Sequence, residues 1–172
     1  MKKLLIAAAA CLLLGATSAQ AQNTAAASAE SKALQQRINQ LMRNPAKPHQ
    51  ELRLELKGCH ATQTIRDNQA DVQSSVGPIS VSFNKGGEAG WAAKVADGKF
   101  ELALDFEWRE VEPITYLRHK PDNDKDQPPY EIKLRRVRKG NTSNFELPLY
   151  TTDEKAVLDV VRRLEKLRQG CR

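Results

Sequence analysis

Asp97-Gly98 lies between two runs that alternate apolar and polar residues, and that dipeptide is a strong short-range signal for a two-residue type I′ turn. Closing the loop there pairs Ala96 with Lys99, Val95 with Phe100, Lys94 with Glu101, Ala93 with Leu102 and Trp91 with Leu104. Each larger apolar residue then meets an apolar partner and Lys94 meets a glutamate, so the turn and the pattern demand one register. Leu104, Phe106 and Trp108 carry the inward face beyond the pairing. A chain with this hairpin must also supply a layer to cover it.

The remaining strands read less cleanly. Leu52, Leu54 and Leu56 alternate with Glu51, Arg53, Glu55 and Lys57, which is a half-buried strand. Strict alternation would turn Cys59 away from the leucines unless Gly58 forms a bulge. Residues 60–76 are poorly patterned, with a Thr-rich strand expected around Thr62 to Ile65 and a loop near Asp67-Asn68. Ile79, Val81 and Phe83 form the next alternating run, closed by Asn84-Lys85-Gly86-Gly87. Ile114 and Tyr116 begin another, and a polar loop from Arg118 to Pro129 follows. Tyr130, Ile132 and Leu134 stand at even positions, whereas Val137, Phe145, Leu147 and Leu149 are odd. Folding about Gly140 to Ser143 aligns Val137 with Phe145 and predicts a bulge at Arg135-Arg136 to absorb the mismatch. Pro148 places its strand at or near an edge.

Two helices flank the strands. Leu34, Ile38, Leu41 and Met42 share a short stripe that Pro45 and Pro48 end. Val157, Val160, Val161, Leu164 and Leu167 form a longer one within Thr151 to Arg172. Charged residues, Arg168 among them, fill the rest of its circumference. Thr151 and Glu154 have capping-box spacing, and Gly170 can stop the helix. The sum is an α+β fold: an antiparallel sheet of six to eight strands, a short N-terminal helix and a covering C-terminal helix. In element order, about seven strands and then one helix, it resembles the pleckstrin-homology-like architecture. A plainer antiparallel sheet covered by two helices fits the same pattern.

Lys2-Lys3, the apolar run Leu4 to Leu14 and Ala19-Gln20-Ala21 have the make-up of a secretory signal cleaved after Ala21. The expected organisation is a signal over 1–21, a flexible lead-in over 22–29 and a single α+β domain over 30–172, exported to a bacterial periplasm. No second long apolar run exists, so no transmembrane anchor is expected. The signal holds two of the lysines and no acid, which lowers the formal net charge from +6 to +4. That mild basicity in an exported chain does not call for nucleic acid. Cys11 leaves with the signal, and Cys59 and Cys171 form an even pair in an oxidising compartment. Their bond would close a loop worth about 4–5 kcal/mol in the chain-entropy model.

No motif identifies an activity. Asp122, Asp124 and Asp126 have the opening spacing of a calcium loop, but Gln127 replaces its turn glycine and Lys133 its terminal glutamate. His49, His60 and His119 lack zinc spacing. Cys59 and His60, adjacent on a strand, would point to opposite faces. No nucleophile elbow or phosphate-binding loop is present in the sequence. No cofactor, metal or catalytic residue is therefore assigned. Lys133, Arg135, Arg136, Arg138 and Lys139 form the one tempting basic run. It is either a patch for an anionic ligand or partner, or one side of a cross-strand ladder neutralised by Glu101, Asp105, Glu107 or Glu146. The expected function is a small periplasmic binding protein without catalysis, acting on an envelope protein as inhibitor, immunity partner or accessory. The alternative is a carrier or sensor of a lipid-like or anionic ligand held between the sheet and the C-terminal helix.

Overall fold

The computed structural model describes residues 16–70, 79–83, 90–120 and 127–172. The order is α1 (Ala16–Leu41), β1 (Gln50–Lys57), β2 (His60–Asp67), β3 (Ile79–Phe83), β4 (Trp91–Ala96) and β5 (Lys99–Glu107). A 3-10 turn over Trp108–Glu110 follows, then β6 (Thr115–Arg118), β7 (Tyr130–Arg138), β8 (Asn141–Leu149) and α2 (Glu154–Gly170). This is the expected α+β architecture with every pairing antiparallel. The strands, however, divide between two sheets, ordered β1-β2-β5-β4-β3 and β6-β7-β8. α1 also starts earlier than its apolar stripe suggests and takes in residues 22–29, the expected lead-in. Most of the expected signal and the aspartates at 122, 124 and 126 lie outside the described residues.

The sheets separate where β5 ends. Trp108 turns out of the strand, donates its backbone N–H to the Cys59 carbonyl at 2.9 Å and has a wholly buried side chain. Val111 then makes a lone bridge to Arg136, and the Glu112 N–H reaches the Arg135 carbonyl at 2.8 Å. Between that bridge and the pairing of Thr115 with Lys133 this side has one residue more than β7. The bulge expected at Arg135-Arg136 against β8 does not form; the irregularity lies along the other edge of β7. The extra residue falls at Glu112 to Ile114, where Pro113 has no N–H to offer a ladder. β7 itself pairs with β8 without interruption, Leu134 opposite Phe145, Ile132 opposite Leu147 and Tyr130 opposite Leu149. Its turn is the two-residue Lys139-Gly140, with φ of 47° and 80°. It is the same primed turn as Asp97-Gly98, whose φ values are 46° and 72° and whose hairpin has the expected register throughout.

Gly58, with φ of 60°, opens a third two-residue turn, and Cys59 occupies its second place. Alternation does not govern a turn residue, so Cys59 is free to meet Cys171 in a disulfide across 112 residues of chain. β2 runs from His60 to Asp67, longer than the Thr-rich core that suggested it.

The core gathers Leu34, Ile38, Leu41 and Met42 of α1, Leu54 and Leu56 of β1, and Phe106 and Trp108. Ile132, Leu134, Leu147, Leu149, Val157, Val160 and Leu164 complete it from the second sheet and α2. Side-chain amides seal the strand edges that face inward. Asn39 clamps Leu54, accepting its N–H at 2.7 Å and donating to its carbonyl at 3.1 Å. Gln35 accepts the Leu56 N–H at 2.8 Å, and Gln63 donates to the Glu146 carbonyl of β8 at 2.9 Å. β8 is an edge strand, as Pro148 indicated.

α2 is capped by Asp153, whose carboxylate accepts the N–H groups of Lys155 and Ala156. The expected box differs here: Thr151 Oγ1 accepts the Asp153 N–H at 3.1 Å and so supports the cap from outside. Arg168, expected on the solvent side, is buried. Its guanidinium donates to both Glu165 oxygens, at 2.9 and 2.5 Å, and to the Val111 carbonyl at 3.3 Å.

Candidate binding surface

Across β1, β2, β5 and β4 one face of the five-stranded sheet is mostly apolar, with Gln50, Gln63 and Asp67 as exceptions, but it is covered over only part of its extent. Register places Leu56, Ala61 and Phe106 in one row, all buried beneath α1 and the second sheet. The next row, Leu54-Gln63-Leu104-Trp91, begins buried and ends with Trp91 42 % exposed. Ile65, Leu102 and Ala93, then Phe100 and Val95, continue the same face and are half-buried. Alternation makes this face apolar; burial then falls away with distance from the two helices. The stripe of α2 behaves otherwise, since Val157, Val160 and Leu164 are each wholly buried in the core.

The basic run on β7 is brought together on one strand, and each side chain has a carboxylate or another partner. Lys133 bridges Glu131 at 2.6 Å and Glu146 at 2.7 Å. Arg135 meets Glu112 at 2.7 Å, and Glu110 takes Arg136 at 2.8 Å and Arg138 at 3.3 Å. Lys139 in the turn is also engaged. The arrangement is a ladder, supplied by Glu110, Glu112, Glu131 and Glu146. Of the four acids expected to supply it, only Glu146 takes part; Glu101, Asp105 and Glu107 lie on the other sheet and pair with Arg66, Thr62 and His60. Arg136 takes a core-side position on β7 and is nearly buried, while Val137 faces out.

On the outer face of the second sheet, burial pushes the Glu131 carboxyl up, but hydrogen bonds from Lys133 and His119 outweigh it and hold the group below its ordinary value. The bonds to Glu131 and Glu146 raise Lys133 in turn. His119 also meets Gln127 at 3.0 Å, and its backbone N–H donates to the Pro129 carbonyl at 2.9 Å. His60 lies between Asp105 and Glu107, and His49 lies 3.8 Å from Asp67. Among the described residues no group of three or more His, Cys, Asp or Glu side chains is placed to hold a metal ion. None of their helices is long and apolar enough to cross a membrane.

Sequence reasoning missed the half-open sheet face and Arg168. The face was legible as alternation, but nothing in alternation states where the cover ends. Arg168 lies four residues past Leu164 and eleven past Val157, in line with the buried stripe, and Glu165 stands three residues before it. No family model matches the chain, and no curated protein or solved structure proved significantly similar to it. The likeness to the pleckstrin-homology-like architecture thus rests on element order alone.

Proposed function

We propose that this is an exported binding protein without catalysis, acting in the bacterial periplasm on another envelope protein. The observation that carries this reading is the apolar stretch Trp91-Ala93-Val95 and Phe100-Leu102-Leu104, in which Trp91 is exposed and the others are only half-buried among the described residues. A contiguous apolar surface on a folded domain marks an interaction site more often than chance exposure does. Aromatic residues such as Trp91 are the anchors that protein interfaces favour. The filled stripe of α2 supports this reading over that of a lipid-like ligand held between sheet and helix. The basic ladder supports neither, since its charges are met within the chain.

The test is capture from envelope extract with the tagged, oxidised protein, beside the variant Trp91→Asp. A stoichiometric protein retained by the natural chain and lost with the variant is the expected result. A co-purifying lipid and no protein would overturn the reading in favour of the carrier. The secreted state is tested separately, by mass spectrometry of the exported chain, which should begin at Gln22.

A further inference from the structure

The end of α2 is held by two fastenings of different kind. The inner one is non-covalent: Arg168 grips Glu165 and the Val111 carbonyl, and Glu165 accepts the Ile114 N–H at 3.3 Å. The outer one is the disulfide, from Cys171 at the helix C-cap to Cys59 at the hairpin turn. Each anchor is placed by other bonds. The turn is fixed by the pairing of Lys57 with His60 and by the Trp108 N–H on the Cys59 carbonyl. The last wholly buried apolar residue of the helix, Leu164, lies seven positions before Cys171, about two turns inward. Cys59 is exposed in its turn while Cys171 is half-buried against the core, so Cys59 is the side from which a thiolate would approach.

We propose that the Cys59–Cys171 bond is a redox latch, which a dithiol opens in the folded protein to free residues 169–172 while the body stays closed. A thiolate of the dithiol attacks Cys59 Sγ, and Cys171 leaves as a thiolate that takes up a proton. The dithiol's second thiolate then attacks its own sulfur in the mixed disulfide and expels the Cys59 thiolate, which is protonated in turn. Two electrons and two protons pass from the dithiol, oxidised to its cyclic disulfide, to the protein. Exposed disulfides are the ones open to such exchange, whereas buried staples resist it.

The test treats the full oxidised chain with dithiothreitol in the absence of denaturant, then alkylates it and follows hydrogen exchange by mass spectrometry. Both cysteines should become alkylated. Amides of residues 169–172 should exchange about tenfold faster or more and lose their protection, while those of 157–164 stay protected in the reduced protein, accelerated no further than the lost loop-closure stability accounts for. Reoxidation should restore the slow exchange. Cys171→Ser should show the open pattern without reductant. Reduction that requires denaturant, loss of protection across 157–164, or a Cys171→Ser chain that does not fold would each overturn the latch and make the bond a structural staple.

Discussion

The two ends of β5 differ in what covers them. Phe106 and Leu102 are on the same strand, on the same face, four residues apart, and both are products of one alternation. Phe106 is wholly buried, packed edge-on to Trp108 with ring centres 5.2 Å apart and stacked on Phe145 at the same distance. Leu102 is half-buried between Ile65 and Ala93. An alternating strand therefore specifies which face is apolar, and other elements decide how much of it becomes core. Here α1, the second sheet and the α2 end cover the inner rows and stop short of the outer ones.

The largest effect should come from cutting into the covered end. Phe106→Ala should destabilise the protein by about 4 kcal/mol, since it removes an aromatic ring from a closed site with three neighbouring elements. Urea unfolding of the oxidised protein measures it. A loss below about 1 kcal/mol would erase the distinction between the two ends.

Arg168→Ala is expected next, at about 3 kcal/mol, because it leaves Glu165 and the Val111 carbonyl without their buried donor. The same pair adds a pH dependence. The Arg168 hydrogen bonds hold the Glu165 carboxyl at about 2, against 4.5 for an ordinary glutamate. A folded-state value below the unfolded one stabilises the protein above the ordinary carboxylate range, and that contribution is lost as pH falls from about 4.5 towards 2. Acid titration of stability should therefore be shallower over that interval in Arg168→Ala than in the natural chain. Equal slopes would show that Glu165 does not carry the difference.

Much of this order was legible in the residues. The Asp97-Gly98 hairpin followed from turn chemistry and cross-strand agreement, and the disulfide from an even cysteine count in a chain expected to be exported. The same test applied at Lys139-Gly140 pairs Leu134 with Phe145, Ile132 with Leu147 and Tyr130 with Leu149, again apolar with apolar. Val137 obscured it: its apolar side chain suggests an inward position, while the register turns it out and Arg136 in. The charge of Arg168 obscures its place in the same way, although its spacing from Val157 and Leu164 puts it on the buried stripe. The division into two sheets was not legible, because it depends on which strand lies beside β5 once Trp108 has turned the chain away. For the candidate surface the sequence supplied the apolar face and left its extent to the packing of the helices.

At the uncovered end, Leu102→Ala should cost about 1 kcal/mol, a value set by partial burial and open space into which neighbours can relax. Paired with Phe106→Ala, it measures the gradient along a single strand. The two tryptophans report the same gradient without perturbing stability much. Trp91→Phe should leave a blue-shifted emission from Trp108 that acrylamide barely quenches, and the quenchable part of the natural spectrum should disappear with it. If quenching persists, Trp108 is reached by solvent and the inner end is not closed.

The smallest effect is expected on the ladder. Arg135 and Glu112 approach to 2.7 Å, yet their side chains are 56 % and 41 % exposed, so water competes for both charges. Arg135→Ala should change stability by less than about 0.5 kcal/mol and should lose even that in high salt. Arg136, one residue on and turned inward to Glu110, lies between this pair and the Arg168 lock in burial, and its alanine variant should fall between them in cost. Thermal unfolding of the three arginine variants at low and high salt therefore ranks side-chain cover, not charge, as the source of the energy. An Arg135→Ala effect as large as that of Arg168→Ala would mean that the ladder, and not the covered end, fastens the two sheets together.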